Sequence, residues 1–285
     1  MANSITERAM LVNLNIQQWV GSKHDRKISA EVAKNHNSDE SMGRYQKRLI
    51  GKEALARIQQ IAGAARQEHY NRTLPWTDGG TRILSSEGYF EYAAKMREYQ
   101  RQYGPAVADF LAQYPQLIEQ ARQRLNGLFN ADDYPDLSSM RQKFAINFNV
   151  LPMPTASDFR VELGDTETAR IREEIEQSVN SALQSAMSDV WNRIREVVAH
   201  MHERLTAYND SHMSFFLNTL VSNISDLIEM LPSLNITQDT SVSQMAEKMG
   251  ELCKYSPEQL RENDGARQET IAAASAILKE MEDFV

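Results

Sequence analysis

The chain has 285 residues, 41% hydrophobic and 25% charged, which is ordinary for a globular protein and long enough for one large domain or two small ones. Its formal net charge of −8 argues against general nucleic-acid affinity driven by counterion release, and the single cysteine, Cys253, excludes an internal disulfide and fits a reducing compartment. No apolar run approaches the roughly 20 residues of a membrane helix, and the opening MANSITERAM lacks a basic stretch followed by an apolar one, so a cytoplasmic location is expected.

Near the start, Ser4 and Glu7 have the spacing of a capping box for a short first helix. Val12, Leu14 and Ile16 then alternate with Asn13, Asn15 and Gln17, the period of a half-buried strand over 11–19 that ends at Gly21-Ser22. A lone strand leaves its backbone groups unpaired, so it needs a partner elsewhere in the chain or in another copy. Residues 29–70 read as two helical pieces broken around Asn35-His36-Asn37. The second piece places Ile50, Ala54, Ile58, Ile61 and Ala65 on one face. Arg44, Arg48 and Lys52, each four residues from the next, form a basic stripe on another face. The segment TLPWTDGGTRILSS, 73–86, interrupts the helices with turn signals at Pro75 and Asp78-Gly79-Gly80. It reads as an ordered loop tacked to the core by Trp76 and Ile83-Leu84. Helices over 86–103 and 105–129 follow, with Gly104-Pro105 between them.

Phe144, Ile146, Phe148 and Val150 alternate with Lys143, Ala145, Asn147 and Asn149, a second amphipathic strand over 143–150 that supplies the missing partner. Pro152 and Pro154 stop it, and Phe159, Val161 and Leu163 suggest a short third strand. From Asp165 to about Ala207, apolar residues from Ile171 to Leu205 recur every three or four positions, unbroken by proline or glycine. Such a helix is a domain spine or a coiled-coil arm, and a mean spacing near 3.6 favours the spine. Shorter helices complete the chain: a capping box at Ser241 and Gln244, a stronger one at Ser256-Pro257-Glu258-Gln259, and a last helix over 266–283. The expected fold is α+β and predominantly helical, with a small antiparallel sheet packed by helices and one long spine helix. Residues 1–163 form its mixed part and 164–285 its helical part, packed together as one domain.

No catalytic or metal constellation emerges. His200 and His202 are two apart and point apart on a helix, and carboxylate pairs such as Glu173-Glu174 fit solvated faces. Asp132-Asp133 before Tyr134-Pro135 reads as a turn, and Asp78-Gly79-Gly80 lacks the lysine and helix of a phosphate loop. No enzyme, metal or cofactor is therefore expected, and Cys253 reads as a small buried apolar side chain. Over residues 1–73 lysine and arginine outnumber acids, while the rest carries the acidic excess. That asymmetry fits an anionic partner, two faces packed on each other, or self-association of basic on acidic surface. The candidate partner-binding residues are Arg44, Arg48 and Lys52 of the stripe with Trp76, Asp78 and Arg82 of the loop.

In order, AMLVNLNIQQWVGSKHDRK, TLPWTDGGTRIL, NADDYPD, FNVLPMP and SDFRVEL resemble a family of tailed-bacteriophage proteins without an assigned activity. Its members are often encoded near MoxR/CobS-type AAA+ ATPases. The resemblance implies a non-catalytic partner of such an ATPase in the host bacterial cytosol. Two other classes stay open: an inhibitor of a host defence factor, and a nucleic-acid-binding accessory of phage replication or recombination.

Overall fold

The computed structural model describes residues 5–76, 79–161, 163–208 and 216–283. In chain order these form α1 (Ile5–Arg8), β1 (Ala9–Gln17), β2 (Ser22–His24), α2 (Arg26–Asn35), β3 (Gln46–Arg48), α3 (Ala56–Arg72), β4 (Leu74–Pro75), β5 (Thr81–Ser85) and α4 (Tyr89–Leu125). There follow α5 (Leu137–Arg141), β6 (Ala145–Pro152), α6 (Asp165–Thr206), α7 (Phe216–Leu234), α8 (Thr240–Gly250), α9 (Pro257–Glu262) and α10 (Asp264–Glu280). The fold is α+β and predominantly helical, as expected. Contacts divide the chain into two compact units. The first comprises Met1–Asn13, Tyr70–Tyr92 and Asn149–Val285, and the second Leu14–His69 and Ala93–Phe148, a different division from a cut at 163/164.

The main sheet has the order β4-β5-β1-β6, so the opening strand does lie beside the 143–150 segment. It is also paired on its other side: β1 runs antiparallel to β5, from Ala9 opposite Ser85 to Asn13 opposite Thr81. Residues 73–86 are therefore not a loop but the hairpin β4–β5, with Leu74, Ile83 and Leu84 each 1% exposed. The glycine signal belongs to the hairpin turn, and positions 77–78 lie outside the described residues. Pro75 and Pro152 fall in the two outer strands, where an absent N–H removes no central ladder bond.

In the first unit α6 spans 42 residues, about 63 Å at 1.5 Å per residue, and its expected role as spine holds. Val190, Ile194, Val198, Met201 and Leu205 pack with Leu11, Leu74 and Ile83 of the sheet and with buried residues of α7, α8 and α10. Among the described residues no strand forms around Phe159: 156–158 make a 3-10 turn capped by Thr155 and Asp158, and Val161 and Leu163 stand more than half exposed. Two apolar residues without a partner strand lack the ladder that would order them. Asp239, not Ser241, caps α8, accepting from the Ser241 N–H at 2.8 Å. The Ser256–Gln259 box is formed as expected, with both reciprocal bonds present. Cys253 is half-buried, its Sγ 3.4 Å from Ser225 Oγ. Ser4 lies outside the described residues.

In the second unit α4 runs unbroken through Pro105 and Pro115, where two helices were expected. An interior proline costs about 3 kcal/mol. The buried stripe Tyr103, Ala106, Val107, Phe110, Leu111 and Tyr114 straddles Pro105 and outweighs that cost by packing on Ile58, Ile61, Ala62 and Ala65 of α3. Trp19 meets Phe110 and Tyr114 at centroid distances of 6.2 and 5.9 Å, and Phe144 meets Phe110 at 5.5 Å. The break expected after Asn35 is present, but residues 44–55 are not helical. They form β3, paired antiparallel with β2, and a 3-10 turn before α3. Gly21, at φ 65°, makes the turn that allows this by accepting the Leu49 N–H at 2.8 Å.

Candidate interaction surface

The second unit holds 17 lysines and arginines against 12 aspartates and glutamates, and the first 14 against 27. Their net charges are thus +5 and −13. The basic excess concentrates in the excursion from β2 through α2 to β3, and local bonds order that excursion. Asp25 caps α2, accepting from Ile28 N–H, and its own N–H donates to Tyr45 O at 3.0 Å. Ser29 donates its hydroxyl to Asp25 O at 2.8 Å and accepts from Tyr45 N–H at 2.9 Å.

Beneath this surface lies a buried ion cluster. Pairing with β2 turns Lys47 inward, and its side chain is 5% exposed. The Lys47 ammonium stands 2.6 Å from Asp133 Oδ2 and 3.0 Å from Asp25 Oδ2, and donates to Leu128 O at 3.1 Å. The Lys47–Asp133 Oδ2 contact is an ion pair between two buried side chains. Lys23 adds a bond to Asp133 Oδ1 at 2.7 Å. Burial pulls the Lys47 ammonium down, but Asp133 and Asp25 more than reverse this, leaving it above its ordinary value. Burial raises the Asp133 carboxyl, and Lys23 and Lys47 bring it below the usual carboxylate range. Asp25 is lowered by its bond to Lys47 and by the Ile28 amide. The cluster ties the β2–β3 pair to the 128–133 segment and floors an open cleft of about 880 Å³. Its charges are mutually neutralised, so it is a brace for the surface around it.

Around it, Arg26, Lys27, Lys34, Arg44, Arg48 and Lys52 are exposed and enter no ion pair among the described residues. Apolar groups are interleaved: Met42 is 82% exposed, with Val32 and Tyr45 also exposed. Arg44, Tyr45 and Val32 line one hollow of about 200 Å³, and Arg48 and Lys52 another of about 210 Å³. The three stripe residues are thus presented from a loop, a strand and a 3-10 turn, not along a helix face.

The other candidates belong to the first unit. Trp76 is half-buried against the core, and Asp78 lies outside the described residues. Arg82 is a structural side chain: its Nε donates to Thr73 Oγ1 at 2.6 Å, its Nη2 to Thr73 O at 2.9 Å, and it lies over the Tyr70 ring. Burial, and then the neighbouring Arg193, lowers its pKa. Arg193 converges on the same place, donating to the carbonyls of Tyr70, Asn71 and Thr73 at 3.0, 2.7 and 2.7 Å. Both guanidiniums saturate the carbonyl-rich C-terminal end of α3.

Reasoning from residues alone missed the Lys47–Asp133 cluster, since the two partners lie 86 positions apart and each reads as a solvated charge. Among the described residues no group of three metal-ligating side chains comes together, and no helix is long and apolar enough to cross a membrane. In comparisons with protein-family models, curated proteins and solved structures, nothing matches the chain.

Proposed function

We propose that the protein acts without catalysis, by docking the 22–52 surface of its second unit on an acidic surface of a protein partner. The observation that carries this is the opposed charge of the two units, with six cations that enter no ion pair among the described residues and exposed Met42 and Tyr45 gathered within residues 22–52. Arginine, tyrosine and methionine are the residue types enriched where proteins meet. The first partner to test is the MoxR/CobS-type AAA+ ATPase that the resemblance implies; a host defence factor is the other.

The test is direct binding of the purified ATPase by the wild type and by the triple variant Arg44→Glu, Arg48→Glu and Lys52→Glu, after nuclease treatment. Charge reversal should weaken binding at least tenfold and leave the melting temperature nearly unchanged, since exposed charges contribute little to stability. Added salt weakens protein and phosphate contacts alike, so it does not separate them. Equal binding by both proteins rejects this surface. If the wild type shifts single-stranded DNA at physiological salt and the variant does not, the nucleic-acid reading replaces this one.

A further inference from the structure

A second cleft, of about 410 Å³, lies wholly within the first unit, beside the end of β5. Its wall brings together Arg8, Ser85, Ser86, Gln238, Thr240 and Ser243 from three separate stretches of chain. Arg8 is half-buried and its Nε is shut off from solvent, yet that nitrogen has no hydrogen-bond partner. Among the described residues the whole guanidinium enters no ion pair or hydrogen bond. A guanidinium carries five donors, and buried donors in folded proteins are nearly always satisfied. The root of the side chain is fixed, because Arg8 O accepts from Ser86 N–H at 2.7 Å.

The surrounding groups are donors as well. Ser85 is buried and its Oγ accepts from Gly88 N–H at 3.0 Å, which leaves its hydroxyl proton to donate elsewhere. The 235–239 turn is locked by Asn235, which donates to Asp239 O and accepts from Asp239 N–H, both at 2.8 Å. That lock holds Gln238 in the left-handed region at φ 58° on the rim, near the exposed hydroxyls of Thr240 and Ser243. The one carboxylate lining the cleft, Glu87, is exposed and makes no ion pair with Arg8.

We propose that this cleft binds a small oxyanion, a phosphate group, with Arg8 as its anchor. A guanidinium takes phosphate oxygens two at a time, and hydroxyls from β5 and from the first turn of α8 suit the remaining oxygens of a tetrahedral group better than a planar carboxylate.

The test is calorimetric titration of inorganic phosphate at constant ionic strength into the wild type, Arg8→Gln and Glu87→Gln. Amide shifts at Ser85–Glu87 and Gln238–Ser243 are followed in parallel. One phosphate should bind per wild-type chain, with those amides moving. Arg8→Gln should bind at least about tenfold more weakly, yet melt as the wild type does without phosphate, because the side chain has no partner to lose. Arg8→Lys keeps the charge without the fork and serves the same comparison if Arg8→Gln does not fold. No binding by the wild type overturns the proposal, as does equal binding by the Arg8 variants, which would place the anion elsewhere. Binding by Glu87→Gln alone also overturns it, since Glu87 would then be the partner of Arg8.

Discussion

Replacing Lys47 by methionine isolates the buried brace of the second unit. Methionine keeps a long apolar stem and removes the ammonium, so Asp133, whose side chain is 4% exposed, loses one of two counterions. Asp25 loses a partner at 3.0 Å, and Leu128 O loses its donor. Removing one member of a buried pair costs about 3–5 kcal/mol. Lys23 still pairs with Asp133 from a half-exposed position, which puts the expected cost at about 3 kcal/mol. The assay is native-state hydrogen exchange at the amides of Ile58, Ile61 and Ala62, buried on α3. Where exchange goes through opening of the unit, about 1.4 kcal/mol is tenfold, so these amides should exchange on the order of a hundredfold faster. Adding Asp133→Asn should recover part of the loss, because a neutral amide needs no counterion. Exchange unchanged within about threefold, or no recovery in the double variant, would refute the reasoning.

Stability of the second unit should also follow pH with a definite sign. Asp133 and Asp25 titrate below the usual carboxylate range, so their contribution is present above about pH 4 and lost as pH falls through the folded values. Lys47 is raised, and Tyr103 and Tyr114 are pushed up to about 12, so their contributions are present below about pH 10 and lost above it. Urea midpoints taken from pH 3 to 11 check both limbs. Gly21→Ala should cost about 1–2 kcal/mol by urea midpoint, since a Cβ there meets Ile50 Cγ1 at 3.0 Å and the backbone is left-handed. Ser256→Ala should remove a reciprocal cap and cost about 1 kcal/mol, read from faster exchange at the start of α9.

What was legible in the sequence was what repeats locally. The alternation of Val12, Leu14 and Ile16 and that of Phe144, Ile146 and Phe148 mark β1 and β6, because Leu14, Ile16, Ile146 and Phe148 are each more buried than the polar residue that follows, although β6 is exposed from Asn149 on. The Ile171-to-Leu205 series marked α6 to within a residue. The β4–β5 hairpin is not legible because β4 is two residues long, too short to show a period. Residues 44–50 look helical by composition, but the side chain that orients β3 is Lys47, which a hydrophobic pattern counts as a surface residue. Gly104-Pro105 looked like punctuation because local propensity does not register the aromatic stripe packed on both sides of it. At the candidate surface, the charge excess was legible and its geometry was not: the cations come from a loop, a strand and a turn. Nothing near Arg82 in sequence foretells its bonds to Thr73 at the end of α3.

The interleaved segments of the two units have a consequence for synthesis. Every residue of the second unit has left the ribosome once Phe148 clears the exit tunnel, so that unit can close while translation continues. The first unit begins earlier yet finishes later, since its core draws on Leu11, Ile83, Val190 and Met281 alike. At 5–20 residues per second the intervening stretch takes on the order of 10 s. During that interval β5 presents Ile83 and Leu84 without the α6 and α10 side chains that later cover the first unit's core. A pause or truncation after Phe148 should therefore yield a folded basic unit carrying an uncovered apolar hairpin, a species prone to capture by chaperones.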